Sequence, residues 1–174
     1  NGFLRMAPDV AIVGEVRDSE ALPLLRTLSS GVKGYTTIHA GSARQALTRL
    51  RFISQMADVG SNLPLSALNT LVSEAVDVVV HTERTADGPR VTEVLAVEDL
   101  AGGPEAAQFT VTPVFERTRL DGPLVWSGLV PVRVGAALER AGIALDEALP
   151  VPRGSQGVAP LPEDDPDLSE RTPA

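Results

Sequence analysis

Two short apolar segments separated by a stretch of helical spacing constrain the fold of this chain more than any other feature. The first segment is AIVGEVR (residues 11–17) and the second is GYTTIHA (residues 34–40). Between them, residues 19–29 carry apolar side chains at helical spacing, and Gly31 supplies an exit from the helix. A strand, a helix and a second strand in this order predict a right-handed crossover between two parallel strands. The sequence therefore predicts an α/β fold.

Chemically active side chains follow both predicted strands. Glu15 and Arg17 come after the first strand, and His39 comes after the second. In parallel sheets, ligands bind in the crevice outside the carboxyl ends of the strands. We therefore expect these three side chains to converge at one edge of the sheet. Plainer interpretations stay open for each of them: a solvated carboxylate, a structural salt bridge and an edge histidine.

Capping signals predict the helices of the first hundred residues. Asp18 or Ser19 is expected to cap the helix between the two strands, because their side-chain oxygens accept from the free N–H groups of a first turn. Ser42 is expected to cap a second helix. Pro64 is expected to open a third helix, which runs to about Glu74.

A β-hairpin follows the third predicted helix. Residues 76–81 and 91–100 have the pattern of its strands, and Asp87-Gly88 predicts its turn. Later signals are weaker and predict short strands at 109–115 and 124–126 and a small helix over 134–148. From residue 150 onward the sequence is rich in proline, glycine and acidic residues, which predicts a disordered tail. We therefore expect three regions: residues 1–100, a small C-terminal extension at 101–149 and the tail at 150–174.

Composition argues against several classes of function. The formal net charge of -8 at pH 7 argues against a nucleic-acid partner. The absence of cysteine excludes a disulfide framework and a thiolate metal site. No apolar run approaches the roughly 20 residues that span a bilayer. The chain begins at Asn1 within sequence of folded character, so we expect it to be a fragment of a longer protein.

Several short strings resemble one family of motor proteins. The strings LRMAPD (4–9) and VGEVRD (13–18) resemble the Walker B region of the type II/type IV secretion ATPases, which power pilus assembly and protein secretion. The string TTIHA (36–40) resembles the histidine box of that family, and the helix after Ser42 also fits its pattern. The order and spacing of these strings make the resemblance specific.

Later strings extend the resemblance to roughly residue 149. RVTEV (90–94) resembles the hairpin near the end of the family's motor domain. The strings LDG (120–122) and GLVP (128–131) resemble the C-terminal extension of the Flp (tight-adherence) pilus branch. The resemblance thus places the chain nearest to that branch, as a C-terminal portion of the motor.

The resemblance implies a partial RecA-like P-loop NTPase domain that works as a ring-shaped homo-hexamer. Such motors use ATP and Mg²⁺, lie at the cytoplasmic face of the inner membrane and act on a membrane platform protein. It implies catalytic roles for Glu15, which orients the attacking water or contacts Mg²⁺ through water, and for His39, which contacts the γ-phosphate. Arg17 and Thr37 are then candidates for nucleotide or inter-subunit contacts.

One element of the family pattern is missing from these residues. The string Gly-x-x-x-x-Gly-Lys-Ser/Thr, whose backbone N–H groups and lysine hold the phosphates, does not occur. We therefore expect the chain to be inactive as an ATPase on its own. The alternative is a non-catalytic, degenerate motor fragment that acts as a protein-interaction module. An unrelated Rossmann-type binder is disfavoured, because no Gly-x-Gly-x-x-Gly follows a strand.

Three further side chains have structural interpretations at this stage. Arg44 and Arg49 are expected to form a solvated or subunit-facing surface of the second helix. His81 ends a predicted strand without an evident partner, and we interpret it as structural.

Overall fold

A strand, a helix and a second strand open the computed structural model, which describes residues 8–57, 62–102 and 108–143. They are β1 (Val10–Val13), α1 (Ala21–Ser29) and β2 (Lys33–Thr36). The two strands pair in parallel, with Val10 opposite Lys33 and Val13 opposite Thr36. The predicted crossover unit and the α/β fold class are thereby confirmed.

A second sheet is antiparallel and has four strands in sequential order. It contains β3 (Val78–Thr85), β4 (Gly88–Val97), β5 (Val111–Glu116) and β6 (Val125–Trp126). The predicted hairpin joins β3 to β4, and its turn needs a glycine at position 88, where φ is +112°. Because β5 pairs with β4, this sheet continues across the boundary expected at residue 100. The division into regions stays a prediction.

Helices α1, α2 (Ala43–Met56) and α3 (Leu65–Ala75) build the core together with the second sheet. Leu25, Leu47 and Val72 are fully buried where the three helices meet. Val97 at the end of β4 and Phe109 before β5 close the same cluster. Burying a side chain of this size contributes about 1.5–3 kcal/mol. This core fixes the three helices against the second sheet. It thereby sets the position of the ends of β1 and β2.

The cap of α1 differs from the sequence prediction. Glu20 is the residue before the helix, and neither Asp18 nor Ser19 provides a side-chain cap. Instead, the Glu20 carboxylate accepts from the N–H groups of Arg17 at 2.6 Å and Asp18 at 3.1 Å. The carboxylate stabilises the loop that leads into the helix, because it satisfies N–H groups that precede the first turn.

The last described helix, α4, begins and ends earlier than predicted. It spans Val132–Arg140 rather than 134–148, and Gly142 leaves it with φ at +75°. Residues 144–148 of the predicted helix and the predicted tail at 150–174 lie outside the described residues. Within the described part of the chain, every helix is too short or too polar to cross a membrane.

Candidate active site

The two parallel strands remain joined by hydrogen bonds beyond their ends. The Val16 N–H donates to the Thr37 carbonyl over 2.8 Å. The Thr37 hydroxyl donates to the Gly14 carbonyl over 2.7 Å. The segments that follow β1 and β2 therefore lie side by side. The hydroxyl proton of Thr37 is thus used in a hydrogen bond within the chain. A contact of Thr37 with a nucleotide or a neighbouring subunit stays a prediction.

Glu15, Arg17 and His39 meet at this edge of the sheet and form what we call the Glu15 cluster. Glu15 Oε2 lies 2.6 Å from Arg17 Nη2, and Glu15 Oε1 lies 3.1 Å from His39 Nε2. The side chain of Glu15 is 24% exposed, whereas those of Arg17 and His39 are 73% and 82% exposed. The expected convergence is therefore present, with the carboxylate at the centre and the guanidinium and the imidazole toward solvent. The catalytic roles stay predictions.

The two oxygens of the Glu15 carboxylate are not equivalent. Oε2 accepts from Arg17, as the distance of 2.6 Å indicates. Oε1 is shielded from solvent, yet it accepts no hydrogen bond from the described residues. His39 lies within ion-pair distance of Oε1 but is not aligned for a hydrogen bond. A shielded carboxylate oxygen without a donor is unfavourable, so Oε1 is ready to accept from a water or a hydroxyl group.

The surrounding charges keep Glu15 ionised. The hydrogen bond from Arg17 is the largest influence and lowers the pKa of Glu15. Partial burial opposes that effect, and the charges of Arg17, His39 and Arg49 reinforce it, so the net pKa lies below the ordinary value. A carboxylate in this state is available as a hydrogen-bond acceptor at neutral pH.

Arg49 was missed by the sequence reasoning, which treated it together with Arg44. The two arginines of α2 have different surroundings. Arg44 Nη1 donates to the Phe109 carbonyl over 3.0 Å, which ties α2 to the segment before β5. Arg49 is exposed, and its charge acts on Glu15. The available signal was position: α2 begins four residues after His39, so the exposed face of its first two turns lies near the site.

The site fits Mg²⁺ only through water. Among the described residues, no group of three or more histidine, aspartate, glutamate or cysteine side chains could hold a metal ion. Mg²⁺ is commonly held by one or two carboxylates together with waters and substrate phosphates. Glu15 Oε1, which accepts no hydrogen bond from the described residues, suits such a contact. The phosphate-binding string does not occur in the 174 residues, so the cluster brings a carboxylate, a guanidinium and an imidazole together without that loop.

His81, which had no evident partner in the sequence, has three neighbours in the structure. Its Nδ1 lies 2.9 Å from Thr92 Oγ1 and its Nε2 lies 3.4 Å from the Ala40 carbonyl oxygen. Glu83 Oε1 is 3.8 Å from Nδ1. The histidine on β3 thus reaches the segment that carries His39.

Known proteins resemble about half of this chain. The chain is 42% identical over 96 residues to the conjugal transfer protein TrbB of Rhizobium radiobacter, which covers 55% of this chain and 28% of that protein. It is 40% identical over 84 residues to the type IV secretion system protein PtlH of Bordetella pertussis, which covers 48% of this chain and 25% of that protein.

A solved structure also resembles about half of this chain. The VirB11 ATPase of the Brucella suis type IV secretion system, solved in complex with sulphate, matches with a TM-score of 0.50 and 31% identity. The match covers 53% of this chain and 29% of that one. The chain therefore spans less than a third of the length of these relatives. The fold similarity agrees with the predicted partial RecA-like domain.

Residues 1–93 match the family described as type II/IV secretion system protein. The relatives named above belong to conjugal transfer and type IV secretion systems, and the expected placement in the Flp pilus branch is not supported by them. Because the family match covers more than half of the 174 residues and includes the whole Glu15 cluster, the chain belongs to the type II/IV secretion system protein family.

Proposed function

We propose that this chain carries the catalytic acid and the histidine box of a secretion-motor ATPase. The arrangement of Glu15 is the observation that supports the proposal most directly. One carboxylate oxygen is held by Arg17, and the other is shielded from solvent and accepts no hydrogen bond from the described residues. Two arginines and a histidine act on the same carboxylate, which suits a site where negative charge develops during phosphoryl transfer.

Each residue of the cluster then has a separate role. Glu15 Oε1 accepts a hydrogen bond from the attacking water and orients it, while Arg17 keeps the carboxylate in one position. The exposed His39 and Arg49 face the solvent side, where they contact phosphate oxygens. Glu15 would hold Mg²⁺ through water, and the ion would neutralise charge on the phosphates when ATP is bound.

The wider biological proposal follows from family membership. We infer a homo-hexameric motor at the cytoplasmic face of the cell membrane that acts on a membrane-embedded platform protein and uses no nucleic acid as partner. Conjugal transfer and type IV secretion systems are favoured over the Flp pilus branch, because the relatives named above come from those systems. The exposed side chains of Ile12 and Tyr35, paired across β1 and β2, offer an apolar face for packing against further parts of such a motor.

A fusion protein tests the proposal. The segment of Rhizobium radiobacter TrbB that precedes the matched region is joined to this chain, and Mg²⁺-dependent phosphate release is compared with that of the chain alone. We expect turnover and hexamer-sized particles for the fusion protein, and no turnover above background for the chain alone. A fusion that assembles and binds ATP without hydrolysing it would favour the non-catalytic interaction module instead.

A further inference from the structure

The segment that carries His39 has little regular structure of its own. Residues 37–42 lie between the end of β2 and the start of α2, outside any helix or strand. At its start, the segment is bonded to the end of β1 through both backbone and side chain of Thr37. What holds the other end decides whether His39 stays near Glu15.

The His81 ring contacts that other end. The Ala40 carbonyl can only accept a hydrogen bond, so the contact over 3.4 Å is a hydrogen bond in the tautomer that carries its proton on Nε2. The Thr92 hydroxyl lies 2.9 Å from Nδ1 and 3.4 Å from the backbone carbonyl oxygen of His81, to which it can also donate. The His81 side chain is 13% exposed, so the ring is largely enclosed by these partners.

A β-bulge brings Thr92 to the ring. His81 pairs with Glu93, but the next residue of β3, Thr82, pairs with Val91, which leaves Thr92 as an extra residue on β4. Bulges change the direction of a side chain relative to a regular ladder. The hydroxyl of the buried, unpaired Thr92 thereby reaches the His81 ring.

Glu93 fixes the same end of the segment at a second point. It lies opposite His81 in the sheet, and its Oε2 accepts from the Ala43 N–H at 3.0 Å, at the start of α2. A carboxylate at a helix N-terminus is a favourable partner for the free N–H groups there. The β3–β4 hairpin therefore contacts both the last part of the segment and the helix that follows.

We propose that His81 is a positioning residue for the candidate active site: its hydrogen bond to Ala40 holds residues 37–42 so that His39 lies against Glu15. This inference rests on the proposed function for its catalytic meaning, whereas its structural content stands on the contacts of His81. The positioning role of His81 gives the β3–β4 hairpin a function in the motor in addition to its part in the core.

Two substitutions at one position separate hydrogen bonding from bulk. In His81→Gln, the side-chain amide can still donate to the Ala40 carbonyl; in His81→Leu, no donor remains. Backbone ¹⁵N relaxation of the whole 174-residue chain gives order parameters for residues 38–41. We expect them to fall from about 0.85 to below about 0.6 in His81→Leu and to stay high in His81→Gln.

A second measurement reports on the distance between His39 and Glu15. Because the charge of His39 contributes to the low pKa of Glu15, the carboxyl titration followed by ¹³C NMR should move upward in His81→Leu and remain near the parent in His81→Gln. If His81→Leu fails to fold, Thr92→Val replaces it, since that change removes the hydroxyl that orients the ring. Urea unfolding of each variant checks that the core is intact.

The outcomes decide between the alternatives. Unchanged order parameters and an unchanged titration in a folded His81→Leu chain would overturn the proposal. An equal fall of the order parameters in both His81 variants would also overturn the proposal, because the shape of the side chain rather than its hydrogen bond would then hold the segment. In an active fusion protein, His81→Leu should reduce kcat on the order of 10- to 100-fold with KM for ATP unchanged. Since the NMR measurements need no ATP, a failure of the proposed function is distinguishable from a failure of this inference.

Discussion

Replacing Glu98 with glutamine should detach the start of α4 from the second sheet. Glu98 follows β4 and is only 7% exposed. Its Oε1 accepts from the Thr112 hydroxyl at 2.8 Å and from the Val132 N–H at 2.9 Å, and its Oε2 accepts from the Arg133 N–H at 3.1 Å. The residue before α4 is Pro131, which has no side-chain acceptor. The distant carboxylate therefore caps the helix.

The expected loss of stability follows from these contacts. Glutamine keeps one oxygen acceptor but places an NH₂ group against the N–H of Arg133, which leaves a donor unpaired at a cost of about 1–3 kcal/mol. The charge at the helix N-terminus is also lost, at a cost of about 0.3–1 kcal/mol. The free energy of unfolding should therefore fall by about 2–4 kcal/mol, since the two retained bonds also weaken when the acceptor becomes neutral.

Urea unfolding followed by the fluorescence of Trp126, the only tryptophan, measures this loss. With a dependence of about 2 kcal/mol per M urea, the middle of the typical range, the midpoint should fall by about 1–2 M. Glu74→Gln on α3 removes the same charge from an exposed carboxylate and serves as the control. Equal midpoints for the parent and Glu98→Gln would refute the reasoning.

The contribution of Glu98 to the free energy of unfolding should also depend on pH, and it should fall as the pH is lowered. Burial raises the pKa of Glu98, but hydrogen bonds from Arg133, Thr112 and Val132 and the charge of Arg133 together bring it below the ordinary value of 4.5. A group whose pKa is lower in the folded state stabilises above its unfolded pKa, and that contribution is lost as the pH falls through the folded pKa. The stability difference between parent and variant should be full at pH 7 and shrink as the pH falls below the ordinary value of 4.5.

Two further predictions concern the parallel strands and their ends. In Gly34→Ala, the new Cβ meets Leu28 Cδ2 and lies 2.8 Å from the Ala11 carbonyl oxygen. The free energy of unfolding measured in urea should therefore fall by about 1–3 kcal/mol. An unchanged midpoint would contradict the close approach of Gly34 to these atoms. In Arg17→Gln, the largest influence that lowers the pKa of Glu15 is removed, so its ¹³C carboxyl titration should move up toward 4.5, and a titration that does not move would contradict the ion pair.

The sequence predicts those features of the fold that depend on neighbouring residues and simple topology. The parallel pair of β1 and β2 follows from a strand, a helix and a strand in order, and the meeting of Glu15 with His39 follows from that pairing. The cap of α2 is local as well, because Ser42 accepts from the N–H three residues later, at 3.2 Å. These contacts can be predicted without knowledge of distant parts of the chain.

The features that sequence reasoning missed depend on residues far apart in the chain. The cap of α4 comes from Glu98, 34 residues before the helix begins, and the local sequence pattern put the start of that helix too late. The partner of His81 requires a bulge in β4, which no pattern in the alternation of apolar residues announces. The influence of Arg49 on Glu15 depends on how α2 packs beside the strand ends. Long-range packing decides each of them.

The turnover of the fusion protein with Glu15→Gln tests the central claim most directly. The matched control is Asp18→Asn, which removes one negative charge from an exposed carboxylate three residues away. If Glu15 orients the attacking water, Glu15→Gln should lower kcat by at least about 100-fold while Asp18→Asn leaves it within about 2-fold of the parent. A Glu15→Gln fusion protein that hydrolyses ATP as fast as the Asp18→Asn protein would contradict the account.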